Sequence, residues 1–459
     1  MSITNQNAEY TSSLPKWKLV RNCIKGAKAV KSEGESYLPN PDPEAEDAIK
    51  RYEDYLLRAQ FLNVTGRTKN ALVGMAFRVD PLIELPTSIE YMTDDATGDG
   101  LGLISLCKRS VSDLLEVGRI GLMADYPITD DGLTKSQIAA LGSRASIKVY
   151  PAENIIDWAT ESIHGNKTMI KIVLTETVIV QSSPYEDEEI QQTRILRLVD
   201  GVYINEVYRD EDLHQTFEPR KADGSTFNYI PFVIAGTETN DVDVDPAALY
   251  DLAEINLGHY RNSADYEESV FLVGQPQPVI TGLTQNWVDN VNGSYKFGSR
   301  VAWTLPAGAS AAILQVSPNS MAMEAMQHKE RQMVAIGARL ISQGGQAETA
   351  EAARIKHGSD ISVLAGIVAN VSEAIERACD YCGEFMGASD VDESVVIINP
   401  DFYDARKAPA DILAEVQLFD RNIIALPDIR QSVRKAGIIA MERSDVDIDN
   451  DVDLRSPLE

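Results

Sequence analysis

Apolar residues recur along this chain with two different periods, and the changes between them divide it into segments. From Asp245 the period is helical: Leu249, Leu252, Ala253, Asn256, Tyr260, Ala264 and Glu267 fall on one face. Asp245-Pro246 offers a cap followed by Pro at the first helical position. Nothing loop-like interrupts the run to Phe271, which predicts a helix of roughly 40 Å at ~1.5 Å per residue. The stripe is only partly apolar, since Asn256 sits in it with Gly258 and His259 beside it, and it suits neighbours of mixed polarity. A second helical run, 320–341, carries Met321, Ala325, Met333, Ile336 and Leu340 around a polar centre from Gln327 to Arg331. Methionine-rich stripes adapt to imperfect partners. The run breaks at Ser342-Gln343-Gly344-Gly345-Gln346, where paired glycines weaken a helix and permit left-handed dihedrals. Helical spacing resumes at Glu348 and holds to Phe385 through Ala352, Ile355, Ile361, Leu364, Val368, Val371, Ile375 and Ala378.

Before the first of these runs the pattern is mixed. Residues 1–16 are polar and predict a mobile arm, and 17–30 is a short basic amphipathic segment. Helices are expected over 43–63, with Ile49, Tyr52, Leu56 and Ala59, and over 68–77 and 101–118; most of the charges at Arg51, Arg58, Arg67 and Lys69 there read as a solvated face. The loop from Gly98 to Gly102 has glycines but no preceding strand and no terminal Gly-Lys-Ser/Thr, so it reads as a helix entry. Residues 118–127 form a short buried strand. From Ser146 the period becomes two and predicts one antiparallel sheet over 146–234, with a charged loop at 184–189 and a tight turn at Asp200-Gly201. Asp241, Asp243 and Asp245 read as a solvated linker. The insert 272–319 has strand candidates at PVITGL, SRVAWTL and AAILQV and is too short for its own core. It would need neighbouring copies to bury Trp287, Phe297 and Trp303, which points to oligomerisation. A lone strand at 395–399 must join a sheet made elsewhere and is expected to return to the 146–234 sheet; the remainder is helical with a turn at Leu426-Pro427.

Composition narrows the function more than the fold. Lys+Arg of 42 against Asp+Glu of 70 leaves a net charge of -28, which argues against tight binding of duplex DNA though not against DNA passing nearby. No stretch reaches the ~18 apolar residues of a membrane span and the N-terminus has no apolar signal core, so a cytosolic origin is expected. Of four cysteines, Cys379 and Cys382 have redox spacing but lie late in a helical run, where buried thiols are the expectation. The acidic stretch from Ser444 has acids at Asp445, Asp447 and Asp449 but Asn450 and Ser456 where an EF-hand needs Gly and Glu, so no calcium site is expected. The five histidines are scattered, and no nucleophile, metal or phosphate-binding motif is present; neither an enzyme nor a cofactor is expected.

The ordered set WKLVRNCIKG, GESYLP, RAQFLNVTGRT, VGRIGLMADYP, YPAENIIDW, LAEINLGHYRNSADYEESVFLVGQPQPVITG, ERQMVAIGARLI and AETAEAARIKH resembles a family of tailed-bacteriophage portal proteins, over about 17–399. The resemblance implies an α+β fold: a wing of helices and sheet (17–244), a two-helix stem (245–271 and 320–341) and a small β-rich clip (272–319). It further implies a tunnel loop (342–347), a long helix with a returning wing strand (348–400) and a helical crown with an acidic tail (401–459). It implies a homo-oligomeric ring, a dodecamer, at one capsid vertex of a virion, made in the host cytoplasm without a membrane. Its implied partners are double-stranded DNA in the channel, terminase, major capsid and scaffolding proteins, and neck or tail adaptors. An acidic ring repels a polyanion from all sides and would let it slide. Gln343, Gly344, Gly345 and Gln346 would meet the moving DNA, and Lys329, Arg331 and Lys356 would contact it or pair between subunits. Two other readings are another head-tail ring, which should be shorter, and an acidic α+β hydrolase, which should show a substrate-sized pocket.

Overall fold

The N-terminal segment is anchored by two aromatic rings. In the computed structural model, which describes residues 3–127, 143–163, 165–183, 186–273, 277–291, 305–314, 320–341, 362–388, 393–400, 402, 416–421, 423, 425–435, 439, 445, 448 and 449, helix α1 spans Ala8–Lys25. The side chain of Asn7 caps it by accepting from Glu9 N at 2.9 Å. Buried Tyr10 meets buried Trp17 edge-on at 5.8 Å and donates its hydroxyl to Glu153 O at 2.9 Å. The expected mobile arm 1–16 is therefore helical from Ala8. Its polar composition hid the local Tyr10–Trp17 ring pair and the long-range hydrogen bond to Glu153 O, and the helix runs on through Pro15. Helices α2 (Ala27–Ser32), α3 (Ala48–Arg58) and α4 (Val64–Ala76) follow. α3 is shorter than predicted and turns its apolar stripe partly outward, with Ile49 and Leu57 exposed and Tyr55 buried.

Strand β1 (Leu82–Glu84) and a 3₁₀ turn lead to the glycine loop before helix α5 (Leu103–Val117). Asp95 Oδ1 accepts from Gly98 N and Gly100 N at 2.8 and 3.0 Å, so the loop is a helix entry, as the sequence predicts. α5 ends at Gly118 in the left-handed region (φ 76°), whose amide donates to Leu114 O at 2.9 Å.

The single predicted sheet is two. β2 (Arg119–Asp125) lies between β3 (Ser146–Pro151) and β9 (Phe232–Gly236) in an antiparallel trio. The meander β4 (Ile155–Ile163), β5 (Asn166–Ser183), β6 (Glu186–Val199), β7 (Val202–Arg209) and β8 (Asp212–Phe217) forms a second, five-stranded sheet in that order. The chain changes sheets through the 3₁₀ turn Ala152–Asn154, held by Asn154 Nδ2 donating to Thr175 O at 2.6 Å. Periodicity cannot reveal such a change, because both sheets continue the same alternation. Asp200 and Gly201 both take positive φ (47° and 77°), the two-residue turn the sequence calls for. Glu186 to Glu189, expected in a loop, continue β6.

Two groups tie the sheets together. Glu176 on β5 binds Arg194 on β6 at 2.7 Å and accepts from Tyr150 of β3. Arg119, fully buried, stacks on Trp158 at 3.8 Å and donates Nη2 to Val242 O at 3.1 Å; burial pushes its pKa down to about 10. Helix α6 (Tyr250–Val273), helix α7 (Gln285–Val291), helix α8 (Met321–Ile341) and helix α9 (Val363–Met386) come next, with β10 (Gln277–Thr281) and β11 (Ser310–Leu314) between α6 and α8. α9 covers β2 and β9, with Asn370 Nδ2 donating to Gly236 O at 2.9 Å and Phe385 stacked on Tyr126.

The late strand β12 (Val395–Ile397) does not return to the 146–234 sheet but pairs with β1. Its other edge is met by α9: Ser394 N donates to Asp380 Oδ1, Val396 N to Glu376 Oε1 and Ile398 N to Ser372 Oγ, at 3.1, 2.8 and 3.1 Å. Helix side chains thus satisfy the edge that a further strand would have filled.

All of this belongs to one unit, 1–400; residues 401–459 form a second. There α10 (Leu426–Lys435) presents Arg430 and Arg434, one turn apart, to Asp449 and Asp445.

Gly118 carries two constraints, its positive φ and the carbonyl of Asp245, which would lie 2.6 Å from an added Cβ. Gly118→Ala is expected to lower stability by about 2–4 kcal/mol, read as a lower denaturant midpoint at unchanged slope.

Candidate functional site: a helical hairpin and its root

Helices α6 and α8 lie against each other, and the β10–α7–β11 insert falls between them in the chain. The first arm begins at Tyr250 and not at the predicted cap, because Asp245 Oδ2 instead accepts from Glu238 N and Thr239 N at 2.6 and 3.0 Å and folds the linker. Twenty-four residues make α6 about 36 Å long.

Its face of mixed polarity matches a neighbour of mixed polarity, turn by turn. Leu249, Leu252, Ala253, Asn256, Tyr260 and Ala264 are buried. Asn256 Oδ1 accepts from Val64 N, Thr65 N and Thr65 Oγ1 at 3.2, 3.2 and 3.0 Å, and Asn256 Nδ2 donates to Leu62 O at 2.8 Å. The hairpin's side chain thereby caps α4, whose own Asn63 takes only Gly66 N. One turn on, Tyr260 meets Phe61 edge-on at 6.0 Å, and Gln60 N donates to Ser263 Oγ at 3.1 Å. Further out, Tyr55 donates to Asp265 Oδ1 at 2.6 Å, and Arg58 pairs with Glu268 while lying 4.4 Å from the centre of the Phe271 ring. Arg58 is thus part of the hairpin's seat; Arg51, paired with Asp42 at 3.0 Å in solvent, keeps the exposed role expected of both.

The second arm approaches closely where the first has no side chain. A Cβ on Gly258 would meet Lys329 Cε at 3.0 Å, so the lysine stem lies across α6. Beside it buried His259 places Nε2 3.3 Å from Glu330 Oε1. Met333 and Leu340 are buried on the predicted stripe, whereas Met321 at the insert end is 73% exposed. Arg331 is exposed and turns its Nε to Gln327 O at 3.3 Å on its own helix.

In the insert, β10 and β11 pair antiparallel and Trp287 on α7 is half-buried, its ring N–H enclosed without a partner among the described residues. Phe297 and Trp303 lie outside the described residues, as do Gln343, Gly344, Gly345, Gln346, Lys356 and all of the candidate strand SRVAWTL but its last residue. The sequence passed over Asn256 as an acceptor for another helix, although its place in an apolar stripe was the signal.

Cys379 and Cys382 are buried on α9, and burial holds both thiols far above their ordinary range; Cys23 and Cys107 are pushed up to about 12. No group of three metal-ligating side chains occurs among the described residues. An open cleft of about 510 Å³ lies between α1, α5 and the β3–β4 turn. Arg21 within it binds Asp113 at 2.7 Å, Glu153 at 2.9 Å and Glu116, one guanidinium among three carboxylates.

A family model described as "Domain of unknown function (DUF4055)" matches residues 248–386, the stretch from the foot of α6 to the end of α9. No curated protein matches the chain. Among solved structures, a chain of the virion of the native gene transfer agent particle is 14% identical, with a TM-score of 0.40 over 87% of this chain and 94% of that one. A chain of the neck of the empty gene transfer agent particle, computed with C6 symmetry, is 14% identical, with a TM-score of 0.41 over 82% and 90%. Likeness of this degree carries no argument about function.

Two outcomes are expected. Asn256→Leu, which leaves Val64 N, Thr65 N and Leu62 O buried without partners, should lower stability by about 3 kcal/mol in equilibrium unfolding. The native protein at pH 8 should leave all four cysteines unreacted with a thiol reagent until it is unfolded, since each folded thiol titrates well above that pH.

Proposed function

We propose that this chain is the subunit of a portal-type ring, through which double-stranded DNA enters and leaves a phage-like head, with no catalytic role of its own. The observation that carries the reading is the hairpin: two long helices leave one body, hold a small β-rich insert at their far end and return to the same body. Its order along the chain is that implied by the resemblance to portal proteins, with wing, stem, clip, stem and wing in succession. An isolated soluble domain has little use for a hairpin with exposed Phe271, Leu272, Ile313 and Met321 at its outer end. Neighbouring copies around a ring would cover such residues.

The roles follow from position and chemistry. The net charge of -28 disfavours a fixed grip on DNA and favours sliding. Gln343, Gly344, Gly345 and Gln346, uncharged and joining α8 to α9, would touch the moving backbone without a register. The insert, with Trp287, Phe297 and Trp303, would supply contacts between copies and dock terminase and then the neck or tail. The body would seat against capsid and scaffolding proteins.

Native mass measurement with negative-stain imaging should give rings of about a dozen subunits around a hole; a compact dimer without a channel would overturn the reading. Deleting Gly344-Gly345 should leave ring assembly intact and impair DNA packaging, and normal packaging by that variant removes the loop from the DNA path.

A further inference from the structure

The second unit keeps two arginines under its own acidic tail. Along α10 the sequence sets Arg430, Arg434 and Lys435 against the single carboxylate Asp428, a basic helix in a chain of 42 cations and 70 anions. Arg430 takes Asp449 through two parallel bonds, Nη1 donating to Oδ2 at 3.2 Å and Nη2 to Oδ1, and its Nη1 lies 4.0 Å from Asp445 Oδ2. Arg434 Nη2 donates to Asp445 Oδ1. The arginines are one helical turn apart on α10, and Asp445 and Asp449, both in helical conformation, are one turn apart in the tail. The two stretches therefore meet antiparallel, charge on charge.

The four groups are unevenly exposed. Arg430 and Arg434 are 12% and 17% exposed, whereas Asp449 and Asp445 are 57% and 41% exposed. The carboxylates thus lie on the solvent side, with the guanidinium groups beneath them. An ion pair whose carboxylate remains in water adds little to folding and is screened by salt, so it is a cover that another anion can displace. The tail also carries more acid than this contact uses, since every second residue from Asp445 to Asp453 is aspartate. The planar fork that binds a carboxylate through two parallel bonds binds a phosphate in the same way.

We propose that α10 is a binding face for the phosphate backbone of duplex DNA, which the acidic tail closes by occupying Arg430 and Arg434. The choice of duplex DNA as the ligand rests on the portal reading; the occupied arginine pair does not. With the face closed the arginines are withheld from passing DNA, and a duplex at high local concentration displaces the tail by mass action and is held.

Full-length chains are titrated with a short labelled duplex over a series of salt concentrations. Asp445→Asn/Asp449→Asn should bind about 10-fold more tightly than the native chain, and log K should fall more steeply with log salt by about 0.9 for each phosphate gained. A chain ending at Arg443 should gain at least as much. Glu53→Gln/Asp54→Asn, which removes two exposed carboxylates of α3 and the same net charge, should gain nothing. Adding Arg430→Gln/Arg434→Gln to the first variant should abolish its gain. An equal gain from the α3 variant reduces the effect to net charge and overturns the proposal; so does a gain that survives the loss of both arginines, or the lack of any gain in both opened chains. Native mass on the same samples separates the two readings. Rings that gain no affinity when opened overturn the α10 face alone, and opened chains that gain affinity as monomers overturn the ring alone.

Discussion

The hairpin is held to its body by a buried amide. Asn256 sits at the centre of a helix face that is otherwise apolar, and it is fully enclosed, so every bond that it fails to make would be a bond lost to water. It makes four, all to the start of α4. An apolar residue there could slide along its neighbour by a fraction of a turn at little energetic consequence. An amide that must reach two backbone N–H groups, a hydroxyl and a carbonyl cannot. The crossing of α6 over α4 is thereby fixed in register, and the ladder beyond it, from Ser263 to Asp265 to Glu268, lands on Gln60, Tyr55 and Arg58 because that first contact sets the phase.

A long helix pair projecting from a body is a lever, and its usefulness depends on the stiffness of its foot. The foot here combines directional bonds from α6 with close approach of α8, where the missing side chain of Gly258 admits the stem of Lys329. Away from the foot the contacts become exposed and charged, as with Arg58 and Glu268, each about a quarter to a third exposed. The buried, directional bonds are thus concentrated at the root.

Helices and hairpin were legible because their signals are local. Periodicity placed the two long helices within a few residues, and the Asp200-Gly201 turn was read from two residues alone. What escaped detection depends on contacts distant in sequence. Tyr10, packed on Trp17, ties the polar arm to Glu153, the sheet divides in two at a turn held by Thr175, and β12 pairs with β1 more than three hundred residues earlier. Asp245 had the right chemistry for a cap and used it on the loop behind it. For the candidate site, the residues that orient the hairpin were visible as anomalies in an apolar stripe, but their partners were not, since nothing in a helix face says which helix end it will cap.

The β12 strand also has a closed outer edge. Its bonds to α9 are spaced every second residue, at Ser394, Val396 and Ile398, while β1 holds the opposite edge. The strand is gripped from both sides, by a backbone ladder on one and by three helix side chains on the other, and a further strand could be added at the α9 side only by displacing them.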